Sequence, residues 1–140
     1  MIKEFIERFE TNHATLRARF EQRHPSSYKD IVEAVVRAVA GPDPCDSPSV
    51  DRIHEIDDGE YQGTLVYVIG AAGYQPFEYW YVKVVYGSCG ACDTLQAIRL
   101  AHHEDKPTTD QVDQYMTLAT HVLQGLKRMG DDNQAGPYAR

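Results

Sequence analysis

Residues 79–96 read YWYVKVVYGSCGACDTLQ, and the fold turns on this stretch. Tyr79 to Tyr86 is an aromatic and β-branched run, the composition of a buried strand. Gly87-Ser88-Cys89-Gly90-Ala91-Cys92-Asp93 follows as a turn of small residues holding a C-x-x-C pair, and helical character resumes at Thr94. A strand that runs into a glycine-rich turn and then a helix start is a place where proteins put chemistry.

Upstream, Arg52-Ile53-His54-Glu55-Ile56 alternates, Asp58-Gly59 is a tight-turn signal, and Tyr61 to Ile69 reads as the returning strand. Gly70 to Gly73 and Gln75-Pro76 connect to a third strand, Phe77 to Tyr86. An antiparallel meander is the simplest topology. The second and third strands are apolar on both faces: Leu65, Tyr67 and Ile69 against Val66 and Val68, and Trp80, Val82 and Val84 against Tyr79, Tyr81 and Val85. Such a sheet needs cover on both sides, from helices or from a second subunit.

Farther out the pattern is helical. Ile2, Phe5, Ile6, Phe9, Leu16 and Phe20, with His13 on the same stripe, predict one amphipathic helix over residues 2 to about 22, closed by His24-Pro25. Ser27-Tyr28-Lys29-Asp30 has a capping-box pattern and opens a second helix carrying Tyr28, Ile31, Val32, Val35, Val36 and Val39, which Gly41-Pro42 stops. GPDPCDSPS, residues 41–49, reads as a loop around Cys45. Beyond the central turn, Thr94 to about Ala101 predicts a short helix. Pro107 and Thr108-Thr109-Asp110-Gln111 open the last one, with Val112, Tyr115, Met116, Ala119, Val122, Leu123 and Leu126 as its stripe. Lys127 and Arg128 suit its C-terminal dipole, and Gly130 ends it. The expected fold class is α+β: an antiparallel sheet of about three strands (a meander) covered by amphipathic N-terminal and C-terminal helices. It is expected to form one α+β domain over residues 1–130, with 1–24 standing as an N-terminal helical add-on and 131–140 as a disordered tail.

Composition narrows the function classes. The 140 residues, 42% of them hydrophobic and 25% charged, belong to the globular class. No apolar run reaches the roughly 18 residues of a membrane helix, and MIKEFIERFE carries too many acids for a signal peptide. Twenty-one acids against 14 bases, with Arg17, Arg19 and Arg23 as the one basic grouping, disfavour duplex nucleic acid and leave an acidic partner surface open. Three cysteines, an odd number, argue against a secreted disulfide framework.

The central turn admits several chemistries. Cys89-Gly90-Ala91-Cys92 between a strand and a helix has the spacing of a thiol-redox motif, but the chain lacks the alternating βαβ order of that fold. Cys89 and Cys92 also supply half of a tetrahedral zinc site, with His102, His103, Cys45 and His54 as the other donors, none at a recognisable spacing. The plain alternative is two small cysteines packed in a tight turn. Backbone N–H groups of such a turn also make an anion site. Tyr86, Gly87, Ser88, Asp93, Thr94, Gln96 and Arg99 are then the ligand-binding residues. Six of the nine tyrosines and the one tryptophan lie between Tyr61 and Tyr86, so a nucleotide base could stack beside that site, although aromatic strands are more often core. Asp57-Asp58-Gly59-Glu60 could hold a divalent cation, but Asp-Gly needs no metal to explain it. No Ser/His/Asp or H-E-x-x-H arrangement is present, and His121 reads as a boundary residue.

Four segments carry a resemblance: I-x-E-I-D-D-G-E-Y-Q-G-T-L-V-Y-V-I from Ile53, Y-Q-P-x-E-Y-W-Y-V from Tyr74, Y-G-S-C-G-A-C-D-T-L-Q-A-I from Tyr86, and D-Q-V-x-x-Y-M-T-L-A-x-H-x-L-Q from Asp110. Together they resemble a group of small uncharacterised bacteriophage proteins with a YGSC-x-x-CDTLQ-type motif, over about Tyr28 to Met129. The first helix, the tail, His102 and His103 lie outside it. The resemblance implies no catalytic residue and no cofactor. It implies a phage accessory or host-takeover protein in the host cytoplasm, acting by binding a host protein or a small anionic ligand. A homodimer is among the arrangements that would cover the second sheet face. A zinc-binding or redox protein and a nucleotide-sequestering protein are the alternatives.

Overall fold

A computed structural model of the chain describes residues 2–42, 47–57, 63–71, 78–86, 94–101 and 105–129. The architecture is α+β. In chain order the elements are α1 (Ile2–Thr11), α2 (His13–Gln22), α3 (Tyr28–Val39), β1 (Pro48–Asp57), β2 (Gly63–Ala71), β3 (Tyr79–Tyr86), α4 (Thr94–Leu100), α5 (Thr109–Gly125) and β4 (Lys127–Arg128). The strands form one antiparallel sheet in the order β1-β2-β3-β4, the expected meander with one more strand.

The β2–β3 pair sets the register. It runs from Gly63 opposite Tyr86 to Gly70 opposite Tyr79, which puts Tyr67 across from Val82 and Ile69 across from Trp80. All four of those side chains are buried, and with Leu65, Val84 and Ile53 they form the sheet's share of the core. β1 is longer than its alternation suggests. It begins at Pro48, inside the expected loop, and its register with β2 shifts between Pro48 and Ile53. A proline is tolerated there because it starts an edge strand, where one missing N–H costs no ladder bond.

The helices pack on that one side. The single helix expected over 2–22 is broken at Asn12, whose backbone (φ −99°, ψ 13°) leaves the helical region. Its side-chain amide donates to the carbonyls of Arg8 (3.0 Å) and Ala38 (2.9 Å), tying the bend to the end of α3. The bend lets α1 bury Phe5 and Phe9 while α2 buries Leu16 and Phe20. His13, expected on that stripe, is exposed and meets the Phe9 ring edge-on at 6.4 Å. Phe5 reaches Trp80 (centroids 6.3 Å apart) and Phe20 reaches Tyr115 (5.8 Å), so both N-terminal helices share the core of the sheet. The Trp80 indole N–H has no acceptor among the described residues, a desolvation cost carried by the packing around it.

Every residue expected on the α3 stripe is buried. Its start differs from expectation: Ser27 makes no side-chain cap bond. Instead the Asp30 carboxylate accepts from the Ser26 N–H (2.7 Å) and hydroxyl (2.6 Å), so the reciprocal bond falls one residue earlier. Burial opposes ionisation of Asp30, but the two Ser26 bonds with Arg23 and Arg19 outweigh it and hold the carboxyl below its ordinary 3.8. At the far end Arg8 donates to the Val39 carbonyl (3.2 Å). Its guanidinium lies 2.6 Å from where a Cβ on Gly41 would sit, a contact that a swing of the flexible Arg8 side chain would relieve.

α5 starts as the sequence predicts. Thr108 accepts from the Gln111 N–H (3.2 Å) while the Gln111 side chain accepts from the Thr108 N–H (2.9 Å). The buried Gln111 amide also donates to the Ile98 carbonyl (2.9 Å), holding α4 against α5. The helix ends at Gly125, five residues before Gly130. Leu126 is extended and buried, and Lys127 and Arg128 pair with Tyr81 and Trp80 as β4 instead of capping a dipole. Arg128 also forms a two-pronged ion pair with Glu78. Strand bonds plus that pair outweigh the small gain from a dipole.

Replacing Thr108 by Ala removes one cap and is expected to cost about 1 kcal/mol. Gln111→Ala also removes the buried bond to the Ile98 carbonyl, which still accepts from the Ala101 N–H (3.3 Å), for about 2 kcal/mol in urea unfolding; equal costs for the two would contradict the α4 tie. Because its pKa is lower folded than unfolded, Asp30 contributes stability at neutral pH that is lost as pH falls through the folded value. Asp30→Asn is therefore expected to be less stable than the parent at pH 7, with the gap closing below about pH 4. A gap that stays constant down to about pH 2 would contradict the Ser26–Asp30 arrangement.

Candidate functional site

Three places can carry function: the central turn, a cleft beside it, and the side of the sheet away from the helices. The ends of the turn are where the sequence puts them, since β3 stops at Tyr86 and α4 starts at Thr94. Gly87, Ser88, Cys89, Cys92 and Asp93 lie outside the described residues, as do Cys45, His102, His103, Asp58, Gly59 and Glu60. Gln96 and Arg99 are exposed on α4. Arg99 donates to the Ser26 carbonyl (3.3 Å) at the approach to α3. Neither Gln96 nor Arg99 lines the cleft beside the turn. Among the described residues no three His, Cys, Asp or Glu side chains gather as a metal site.

The cleft, about 200 Å³, opens between α3, β3 and α5. Tyr28, Ile31, Val84, Leu118 and Val122 give it apolar walls, and His121 and the stretch of β3 at Lys83, whose side chain alternates to the other side of the sheet, complete the lining. The Tyr28 hydroxyl accepts the Leu95 N–H (3.1 Å), tying this wall to the first turn of α4. A second polar pair lies deeper. The buried Tyr115 hydroxyl is 2.6 Å from His24 Nδ1. Burial pushes its phenol up to about 12, with Arg99 acting the other way. The phenol therefore keeps its proton at neutral pH.

The third place comes from strand alternation. Trp80, Val82, Tyr67 and Ile69 point to the helices, so Tyr79, Tyr81, Lys83, Val66 and Val68 point away. On β1, His54 and Ile56 share that outer side, with His54 opposite Val68 and Ile56 opposite Val66. On β4, Lys127 is opposite Tyr81, and the Met129 N–H donates to the Tyr79 carbonyl (2.8 Å), which continues the pairing. Five large hydrophobic side chains are exposed among the described residues, and three of them, Ile56, Tyr79 and Met129, are on this face. No described helix covers it. The ionisable side chains that the register places there are His54, Lys83 and Lys127, whereas Glu55 and Glu78 alternate to the helix side, Glu55 taking the Tyr67 hydroxyl (2.7 Å). Asp51 and Arg52, both exposed, flank this set on the irregular part of β1.

Sequence reasoning located the double-faced apolar strands but not this charge sorting. The signal was present in the alternation of His54 with Glu55, and of Lys83 with Glu78. Lys127 was hidden because a two-residue strand after a helix has no period of its own. No protein-family model, curated protein or solved structure matches the chain. Tyr28→Phe, which strands the Leu95 N–H, is expected to cost about 1 kcal/mol and to raise hydrogen exchange in α4 ahead of α5. Unchanged exchange in α4 would separate the cleft wall from the turn.

Proposed function

We propose that this protein acts by binding and not by catalysis, and that its outer sheet face receives an anionic macromolecule. The observation behind the reading is that exposed Ile56, Tyr79 and Met129 share one side of the sheet with His54, Lys83 and Lys127. Aromatic and apolar side chains interspersed with cations are the makings of a recognition surface. The resemblance of the Tyr86–Ile98 segment to bacteriophage proteins supports an accessory role in the host cytoplasm, and the absence of a complete catalytic set in the sequence agrees with it. The cleft between α3, β3 and α5, with His121 on its wall, favours a second reading, a small organic anion bound there.

Tyr81→Glu puts an acid at the centre of the outer face, and Ile6→Glu puts one on an exposed apolar site of α1. With both variants folded, complex formation in a bacterial host is expected to be lost for Tyr81→Glu alone, read as native mass of the tagged protein. Equal loss or equal retention for the two would move the binding surface elsewhere. Isotope-edited NMR with acetate and inorganic phosphate tests the second reading through shifts at Tyr28 and His121.

A further inference from the structure

Resting on that reading, we infer that the anionic macromolecule is single-stranded nucleic acid, with bases stacked on Tyr79 and Tyr81 and phosphates taken by Lys83 and Lys127. Three other occupants fit less well. A second copy placed face to face would bring Lys83 and Lys127 against a surface whose register-fixed ionisable side chains, His54, Lys83 and Lys127, are also bases. The face is also small: four strands by about six residues gives about 20 Å by 20 Å, or roughly 400 Å². That is near half the roughly 800 Å² per partner of a stable protein–protein interface. A duplex needs an element that enters a groove, and a flat sheet offers none.

A single strand suits both limits. About four nucleotides match the footprint, within the site sizes known for such platforms. Tyr79 and Tyr81 are two residues apart on β3, so their rings leave the sheet about 7 Å apart on one side. Lys83 continues the same row and Lys127 lies directly across from Tyr81, so bases and cations alternate around the rings. Stacking uses the ring face that every base has, and lysine at the flank answers the phosphate. Val66 and Val68 floor the platform, and His54 borders it beside Val68. The acids Glu55 and Glu78 on the helix side leave the face itself attractive, while the overall −7 keeps affinity modest and salt-sensitive.

The test is fluorescence anisotropy of the full chain with labelled oligothymidylate and oligouridylate of about twelve nucleotides, a matching duplex, and an oligoglutamate peptide. The single strands are expected to bind and the duplex to bind at least about ten-fold more weakly. Raising salt from about 50 to about 200 mM should weaken binding with a log–log slope of about −1 to −2, as expected for two or three phosphate contacts. Tyr79→Leu and Tyr81→Leu keep apolar bulk but lose the flat ring, and each should weaken binding about ten-fold, while Tyr81→Phe retains it. Lys83→Ala with Lys127→Ala should flatten the salt slope, and Ile6→Ala should change nothing. Single strands that bind Tyr81→Leu as well as the parent would overturn the inference. Oligoglutamate binding sensitive to Lys83 and Lys127, with no single-strand binding, would overturn it and leave the anionic-partner reading standing. No binding of any of these probes at about 100 μM would overturn both.

Discussion

The rest of the structure depends on burying one side of the β2–β3 pair. Tyr67, Ile69, Trp80 and Val82 are each no more than 1% exposed, and they meet Phe5 from α1 and the valine-rich face of α3. A strand's side chains alternate with a period of two, so a slip of one residue in either strand would turn its two to the outer side. That penalty holds the register. Once it holds, the outer side is determined residue by residue: what is not Trp80 or Val82 is Tyr79, Tyr81 or Lys83. The open face is a consequence of the core and shares its rigidity.

The helix side shows how a modest chain closes such a core. α3 supplies eight buried residues and α5 seven, and the bent α1–α2 pair fills the remainder. The ties between elements are side chain to backbone: Asn12 to Ala38, Arg8 to Val39, Gln111 to Ile98, Tyr28 to Leu95. Each answers a carbonyl or N–H that a helix end leaves unpaired, so packing and capping are the same contacts. The consequence for function is asymmetry. Polar side chains on the helix side hold the fold, while Lys83 and Lys127 on the outer side are exposed to a partner.

Much of this was legible in the sequence where a pattern runs long enough to have a period. The α3 and α5 stripes, the Thr108–Gln111 box and the β2–β3 strands all appear where their spacing puts them. The misreadings fall where one side chain decides. Asn12 breaks a helix that hydrophobic spacing would continue, because its amide finds the Ala38 carbonyl, a contact 26 residues away. Asp30 reaches Ser26 and not Ser27, a choice between two adjacent serines that no pattern makes. Lys127 and Arg128 leave the helix for β4 because Glu78 and the edge of β3 are within reach. The candidate site was legible only in part. The strand and helix ends of the central turn are where they were read, but Arg99 turns to Ser26. The outer face emerged only after the register told which charges share a side.

The most direct test of the open outer face is hydroxyl-radical footprinting of the folded chain, resolved to single residues. It compares like with like: Met129 against Met116, and Tyr79 against Tyr67. An open face requires Met129 and Tyr79 to be oxidised far faster than their buried counterparts, which are 6% and 0% exposed. Protection of Met129 and Tyr79 to the level of Met116 and Tyr67 would mean that the face is covered in the isolated protein, and the binding surface would have to be sought elsewhere.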